Sequence, residues 1–154
     1  MKHTVAPRVS ALLALLAAAG TAAAQFTGFA TPPDNYPLND RGRDAAIADF
    51  NLDGFLDIAV CDEDGSPATP STVTVYLNDG DGTFTPGVPV PVGAGASGIV
   101  SGHFNADTRP DLAVACSQAG ELYVLINNGA GAFIASAPYP ISGSPIDVAA
   151  GQVT

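Results

Sequence analysis

Asp49-Phe50-Asn51-Leu52-Asp53-Gly54-Phe55-Leu56-Asp57 sets oxygen-bearing side chains at alternate positions ahead of a glycine and closes on a further carboxylate. That is the pattern a hard cation asks for. Calcium takes roughly 6–8 oxygens at about 2.3–2.6 Å, so a loop that serves it must aim several oxygens inward within a few residues. By position, Asp49, Asn51 and Asp53 supply side-chain oxygens, Phe55 supplies its backbone carbonyl, Gly54 permits the sharp turn and Asp57 closes the site. An EF-hand fits the pattern less well, because neither flank has apolar residues at helical spacing and position twelve is Val60 where an EF-hand has a glutamate. The competing reading of the same residues is a solvated acidic turn that holds no ion.

A degraded copy, His103-Phe104-Asn105-Ala106-Asp107-Thr108-Arg109-Pro110-Asp111, begins 54 residues downstream, at 103 against 49. The interval is about the length of one blade of a β-propeller, so the loop belongs to a repeat. This copy keeps Asn105, Asp107 and Asp111 as weaker candidate ligands. His103 replaces the first carboxylate, and an imidazole is a poor ligand for a hard cation. Thr108 stands where the turn glycine was; a β-branched residue at positive φ is strained, so the loop is expected to bind weakly or to hold its shape without metal. Arg109 is placed to neutralise the remaining carboxylates, and His103 reads as a surface turn residue. The acidic run Asp62-Glu63-Asp64 and the turn Asp79-Gly80-Asp81 read as solvated loops.

The elements that must carry these loops are short strands. Asp44–Ala48 and Leu56–Cys61 flank the first loop, and Thr72–Leu77 alternates polar and apolar residues as a half-buried strand does. Asn78-Asp79-Gly80-Asp81-Gly82-Thr83-Phe84 then turns a hairpin whose Asp-Gly pairs supply positive φ, and an outer strand is expected near Val88–Val92. Pro86, Pro89 and Pro91 are tolerable there only on a sheet edge, where a missing N–H breaks no ladder. The second unit repeats the order through Gly98–Gly102, Asp111–Ala115 and Glu121–Ile126, and closes on Asn127-Asn128-Gly129-Ala130-Gly131-Ala132-Phe133. The resulting division is a signal peptide over 1–24, a leader or outer strand over 25–43, repeats over 44–97 and 98–146, and the start of a third over 147–154. In that third unit Gln152 takes the place of Asp49.

The phrases ADFNLDGFLDIAV and GHFNADTRPDLAV, with the hairpins NDGDGTF and NNGAGAF, resemble the FG-GAP or VCBS type repeats of integrin α-chain propellers and many secreted bacterial proteins. The resemblance covers roughly 44–154. It implies an all-β fold, a partial β-propeller of two four-stranded blades plus the start of a third, with Ca2+ held between a blade's first two strands. Typical propellers close with about 4–8 blades. The expectation is therefore either a fragment of a larger protein whose continuation completes the ring, or an oligomer that completes it from several copies.

Lys2 and Arg8, the apolar run Ala11–Ala19 and Ala22-Ala23-Ala24 read as a secretory signal, with a run too short to be a stable membrane span of about 20 residues. An extracellular or periplasmic location follows. Without that segment, Arg41, Arg43 and Arg109 face all fifteen acidic residues, a formal charge of −12 that repels nucleic acid. Cys61 and Cys116 fall on corresponding strands but one residue out of step, so their side chains point to opposite faces, as a bridge between stacked blades requires. Against a bridge, packed sheets sit about 10 Å apart, and a disulfide needs Cα atoms within roughly 7 Å. The leading functional reading is a calcium-stabilised, non-catalytic scaffold or binding module for protein or glycan. The alternatives are the propeller part of a secreted hydrolase or lyase, and a bladed lectin. No Gly-x-Ser-x-Gly phrase is present, His103 is the sole histidine after the signal, and tryptophan platforms are absent.

Overall fold

The computed structural model describes residues 41–63 and 65–151. The expected signal peptide, most of the 25–43 leader, Asp64 and residues 152–154, with Gln152, lie outside the described residues.

The fold is all-β: among the described residues there is no helix, and ten strands form two antiparallel sheets. The first sheet holds β1 (Arg41–Ala48), β2 (Asp57–Glu63) and β3 (Ser71–Asn78), with β4 (Phe84–Pro86) and β5 (Val90–Val92) both paired to β3. The second holds β6 (Ala96–Gly102), β7 (Asp111–Cys116) and β8 (Glu121–Asn127), with β9 (Phe133–Ala135) and β10 (Tyr139–Pro140) both paired to β8. These are two propeller blades, and they do not close a ring. The outer strand expected near Val88–Val92 is in fact broken into β4 and β5, because Gly87-Val88-Pro89 interrupts the pairing. Pro91 nevertheless pairs opposite Thr72 on the outer strand, where its missing N–H costs no ladder bond.

Both hairpins close alike. Asp79 N donates to Thr83 O at 3.0 Å and Asn128 N to Ala132 O at 3.0 Å, with positive φ at Gly80, Gly82, Gly129 and Gly131. A β-bulge also recurs at the same point of the repeat, at Arg43 in the β1–β2 pair and at Ser97 in the β6–β7 pair.

Alternation along the central strands decides which face each blade turns to its neighbour. Ala59, Cys61, Val73 and Val75 from the first sheet pack with Ile99, Leu112, Val114, Cys116 and Leu125 from the second in one shared core. Burying each large aliphatic side chain here contributes about 1.5–3 kcal/mol. Phe50, fully buried, inserts from the first loop and meets Phe133 edge-on, ring centroids 5.4 Å apart. Polar bonds cross the same seam: Ile99 N donates to Asp44 Oδ2 (3.1 Å), Ala96 N to Ser71 Oγ (3.0 Å) and Ser101 Oγ to Ile47 O (3.3 Å).

The one-residue offset of the two cysteines does place both in the core between the sheets, and both thiols are free. Burial pushes the Cys61 thiol up to about 12 and the Cys116 thiol to about 11. The described part of the third unit, 147–151, runs beside β6 without forming a strand: a Cβ on Gly98 would sit 2.9 Å from Asp147 Cα, and Ser97 Oγ donates to Pro145 O at 2.9 Å. No described helix is long and apolar enough to cross a membrane.

Candidate metal centre

The first loop joins β1 to β2, so its ends are fixed by a hydrogen-bonded strand pair whose last partners are Ala48 and Asp57. Within it the acidic side chains fold back on the backbone. Asp49 accepts from Asp53 N (3.1 Å) through Oδ1 and from Gly54 N (2.8 Å) through Oδ2. Asn51 Oδ1 also accepts from Asp53 N (3.1 Å), Asn51 Nδ2 donates to Asp53 Oδ2 (2.8 Å), and Asp53 Oδ1 accepts from Phe55 N (2.8 Å). The Asp49 carboxylate thus turns two successive N–H groups inward. The backbone responds with two left-handed residues, Leu52 at φ 63° and Gly54 at φ 93°. Leu52 is the one non-glycine residue at positive φ among those described, a conformation that costs roughly 1–3 kcal/mol and must be imposed by its surroundings.

Asp57 has a different part. It is fully buried, and its two oxygens accept from Phe50 N (2.8 Å) and Asn78 N (2.8 Å), tying the loop to the end of β3. Burial raises its carboxyl above the usual range, against the pull of those N–H donors. The structure therefore brings Asp49, Asn51, Asp53 and the Phe55 backbone together in one exposed turn and sets Asp57 beneath it as an anchor.

The second loop reproduces this frame. Asp111, also fully buried, accepts from Phe104 N (3.0 Å) and Asn127 N (2.9 Å). Asn105 Nδ2 donates to Asp107 Oδ2 (3.0 Å), Asp107 N to Asn105 Oδ1 (2.8 Å), and Arg109 N to Asp107 Oδ1 (2.9 Å). The counterparts of the two Asp49 bonds are missing with the carboxylate itself, since His103 stands there and is exposed. The expected strain at Thr108 does not arise: with no carboxylate at the first position, no residue of 103–111 takes a positive φ. The Arg109 guanidinium pairs with Asp107 through Nη2, and its Nε donates to Asn127 O at 2.9 Å.

In donor chemistry the first loop fits a hard cation, with acidic and amide oxygens and a carbonyl on a solvent-facing turn, and each carboxylate oxygen retains a lone pair beyond the N–H it accepts. Spacing sets a condition. Among the described residues no three carboxylate, imidazole or thiol side chains are gathered closely enough to hold a metal ion by themselves. A bound ion would draw on Asn51, the Phe55 carbonyl and water alongside the carboxylates, as calcium sites do.

Two residues that sequence reading did not single out hold the site in place. Asn127, fully buried, donates through Nδ2 to Phe50 O in the first loop (2.8 Å) and to Pro110 O (2.9 Å), and its Oδ1 accepts from Gly129 N (2.8 Å). Asp44 caps the Ile99 N–H across the seam. The available signal for the first was the asparagine shared by NDGDGTF and NNGAGAF at the end of each third strand.

Residues 49–114 match the family model of the FG-GAP-like repeat, a stretch that runs from the first loop through the second and into β7. That stretch is an FG-GAP-type repeat, and the sheets built on it define a repeat module of propeller blades. No curated protein and no solved structure gives a significant match to the chain.

Proposed function

We propose that this is a calcium-stabilised, non-catalytic module of a secreted protein, a scaffold that presents blade surfaces to a protein or glycan ligand. The observation that carries the reading is the use made of the acids. In both blades the loop carboxylates and asparagines are engaged with backbone N–H groups of the turn, and Asp57 and Asp111 also with those ending β3 and β8, which is a structural employment. Only the first loop adds a carboxylate, the half-buried Asp49, at the position where calcium loops begin.

Calcium in that loop would be held by Asp49, Asn51, Asp53 and the Phe55 carbonyl, with the buried Asp57 fixing the turn beneath. Its contribution is charge: it would offset the repulsion among carboxylates crowded into a few residues and hold the strained Leu52 turn in one conformation. The leading basic and apolar segment supports export to a compartment where calcium is available. A calorimetric titration of the EDTA-stripped protein tests this, together with thermal melts. Binding of calcium and a rise in Tm that Asp49→Asn abolishes are expected; a Tm indifferent to calcium would refute it.

A further inference from the structure

We propose that Arg109 is a built-in replacement for the metal ion, so that the two loops are held by different cations: an exchangeable one in the first and a guanidinium belonging to the chain in the second. This rests on the calcium reading of the first loop. Register carries the argument. The seventh loop position is Phe55 in one unit and Arg109 in the other, and both side chains lie over the same hairpin glycine. A Cβ on Gly80 would come 2.8 Å from the Phe55 ring, and one on Gly129 would come 2.8 Å from Arg109 Cδ.

From that shared starting point the two diverge. Phe55 ends against the hairpin, and its solvent-exposed ring brings no charge to the turn. The Arg109 guanidinium turns back, pairing with Asp107 and donating to Asn127 O at 2.9 Å. Asp107 is the counterpart of the candidate ligand Asp53, and Asn127 that of Asn78, so a cationic group bridges loop and hairpin in the second blade alone. Loss of the first carboxylate to His103 completes the exchange. The first loop keeps Asp49, Asp53 and Asp57 for an ion to neutralise, whereas the second keeps Asp107 and Asp111 and supplies its own positive charge. A calcium ion would have to displace the guanidinium and do without the leading carboxylate. Asn127 joins the two arrangements, because the residue that accepts from Arg109 also donates to Phe50 O of the first loop.

Equilibrium dialysis of the full chain against calcium, with melts in EDTA, tests the assignment. Combining His103→Asp, Thr108→Gly and Arg109→Phe restores the first loop's pattern, and this variant is expected to bind one more calcium per chain than the unaltered protein. Arg109→Met keeps the packing stem without the charge; it is expected to lower the Tm in EDTA by about 4 °C. A triple variant that binds no more calcium than the unaltered chain, or an Arg109→Met variant with an unchanged Tm, overturns the proposal. An unaltered chain that binds none, beside a triple variant that binds one, refutes the first-loop reading while upholding the role of Arg109.

Discussion

Asn127→Ala should be among the most damaging single substitutions in this molecule, and its cost can be worked from the bonds it removes. The side chain donates to Phe50 O and Pro110 O and accepts from Gly129 N, all within 2.9 Å, at a position with no solvent exposure. Each such bond contributes about 1 kcal/mol net, and a buried carbonyl left without a donor adds about 1 kcal/mol or more. The sum is about 3–4 kcal/mol, a fall in Tm of roughly 12 °C or more for a domain of this size. Asn78 is the internal control. It holds the equivalent place in the first blade, but its Nδ2 bond to Leu56 O (3.1 Å) and the bond its Oδ1 accepts from Gly80 N (3.0 Å) are exposed, and water can replace them. Asn78→Ala should therefore cost about 1 kcal/mol. Urea unfolding followed by far-UV circular dichroism and by tyrosine emission, in a chain without tryptophan, measures both. Equal losses for the two variants would refute the conclusion that Asn127 pins the blades together.

Gly131→Ala should destabilise by about 2 kcal/mol, because φ is 72° and the new Cβ would lie 2.6 Å from Leu77 Cδ2 across the seam; Gly143→Ala, at φ 96° in open space, carries the backbone strain alone and should cost about 1 kcal/mol by the same melts. Asp111→Asn leaves an amide N–H2 facing one of two backbone donors, Phe104 N or Asn127 N, and should lose about 2 kcal/mol in urea midpoints at constant slope. The Cys61 thiol has its folded pKa raised from 9.0 to about 12, so the unfolded chain ionises first; stability is full below pH 9 and falls as pH climbs toward 12, and Cys61→Ala should flatten that alkaline slope. Under native conditions at pH 8 both buried cysteines should react with a thiol reagent only as fast as the protein opens, which stopped-flow labelling in and out of urea will check.

Much of the fold was legible in the sequence, and for a local reason. Alternation along Thr72–Leu77, glycines at turn positions and the return of one loop pattern at a blade's interval are all properties of a few adjacent residues. The strands and hairpins they predict are where the structure has them, to within a residue or a few at most ends, except that Asp62 and Glu63, expected in a solvated loop, are buried in β2 because the strand pairs on into them from β1. The broken outer strand escaped because its pairing depends on β3: Gly87 N finds Val75 O at 2.7 Å while Pro89 has no N–H to donate.

The first loop's pattern of oxygen-bearing residues could likewise be read from spacing, since alternate residues of a tight turn project to one side. By itself, then, the sequence determined the repeat, the strand order and the oxygen set, because backbone sterics and side-chain periodicity act within a few residues. Only the tertiary structure decided that Asp57 and Asp111 are buried anchors, that Arg109 also reaches Asn127 O, and that Asn127 reaches Phe50. The physical reason is that a polar group removed from water must be paired with whatever packing brings beside it. For Asn127 that partner lies 77 residues earlier in the chain, in the first loop of the other blade.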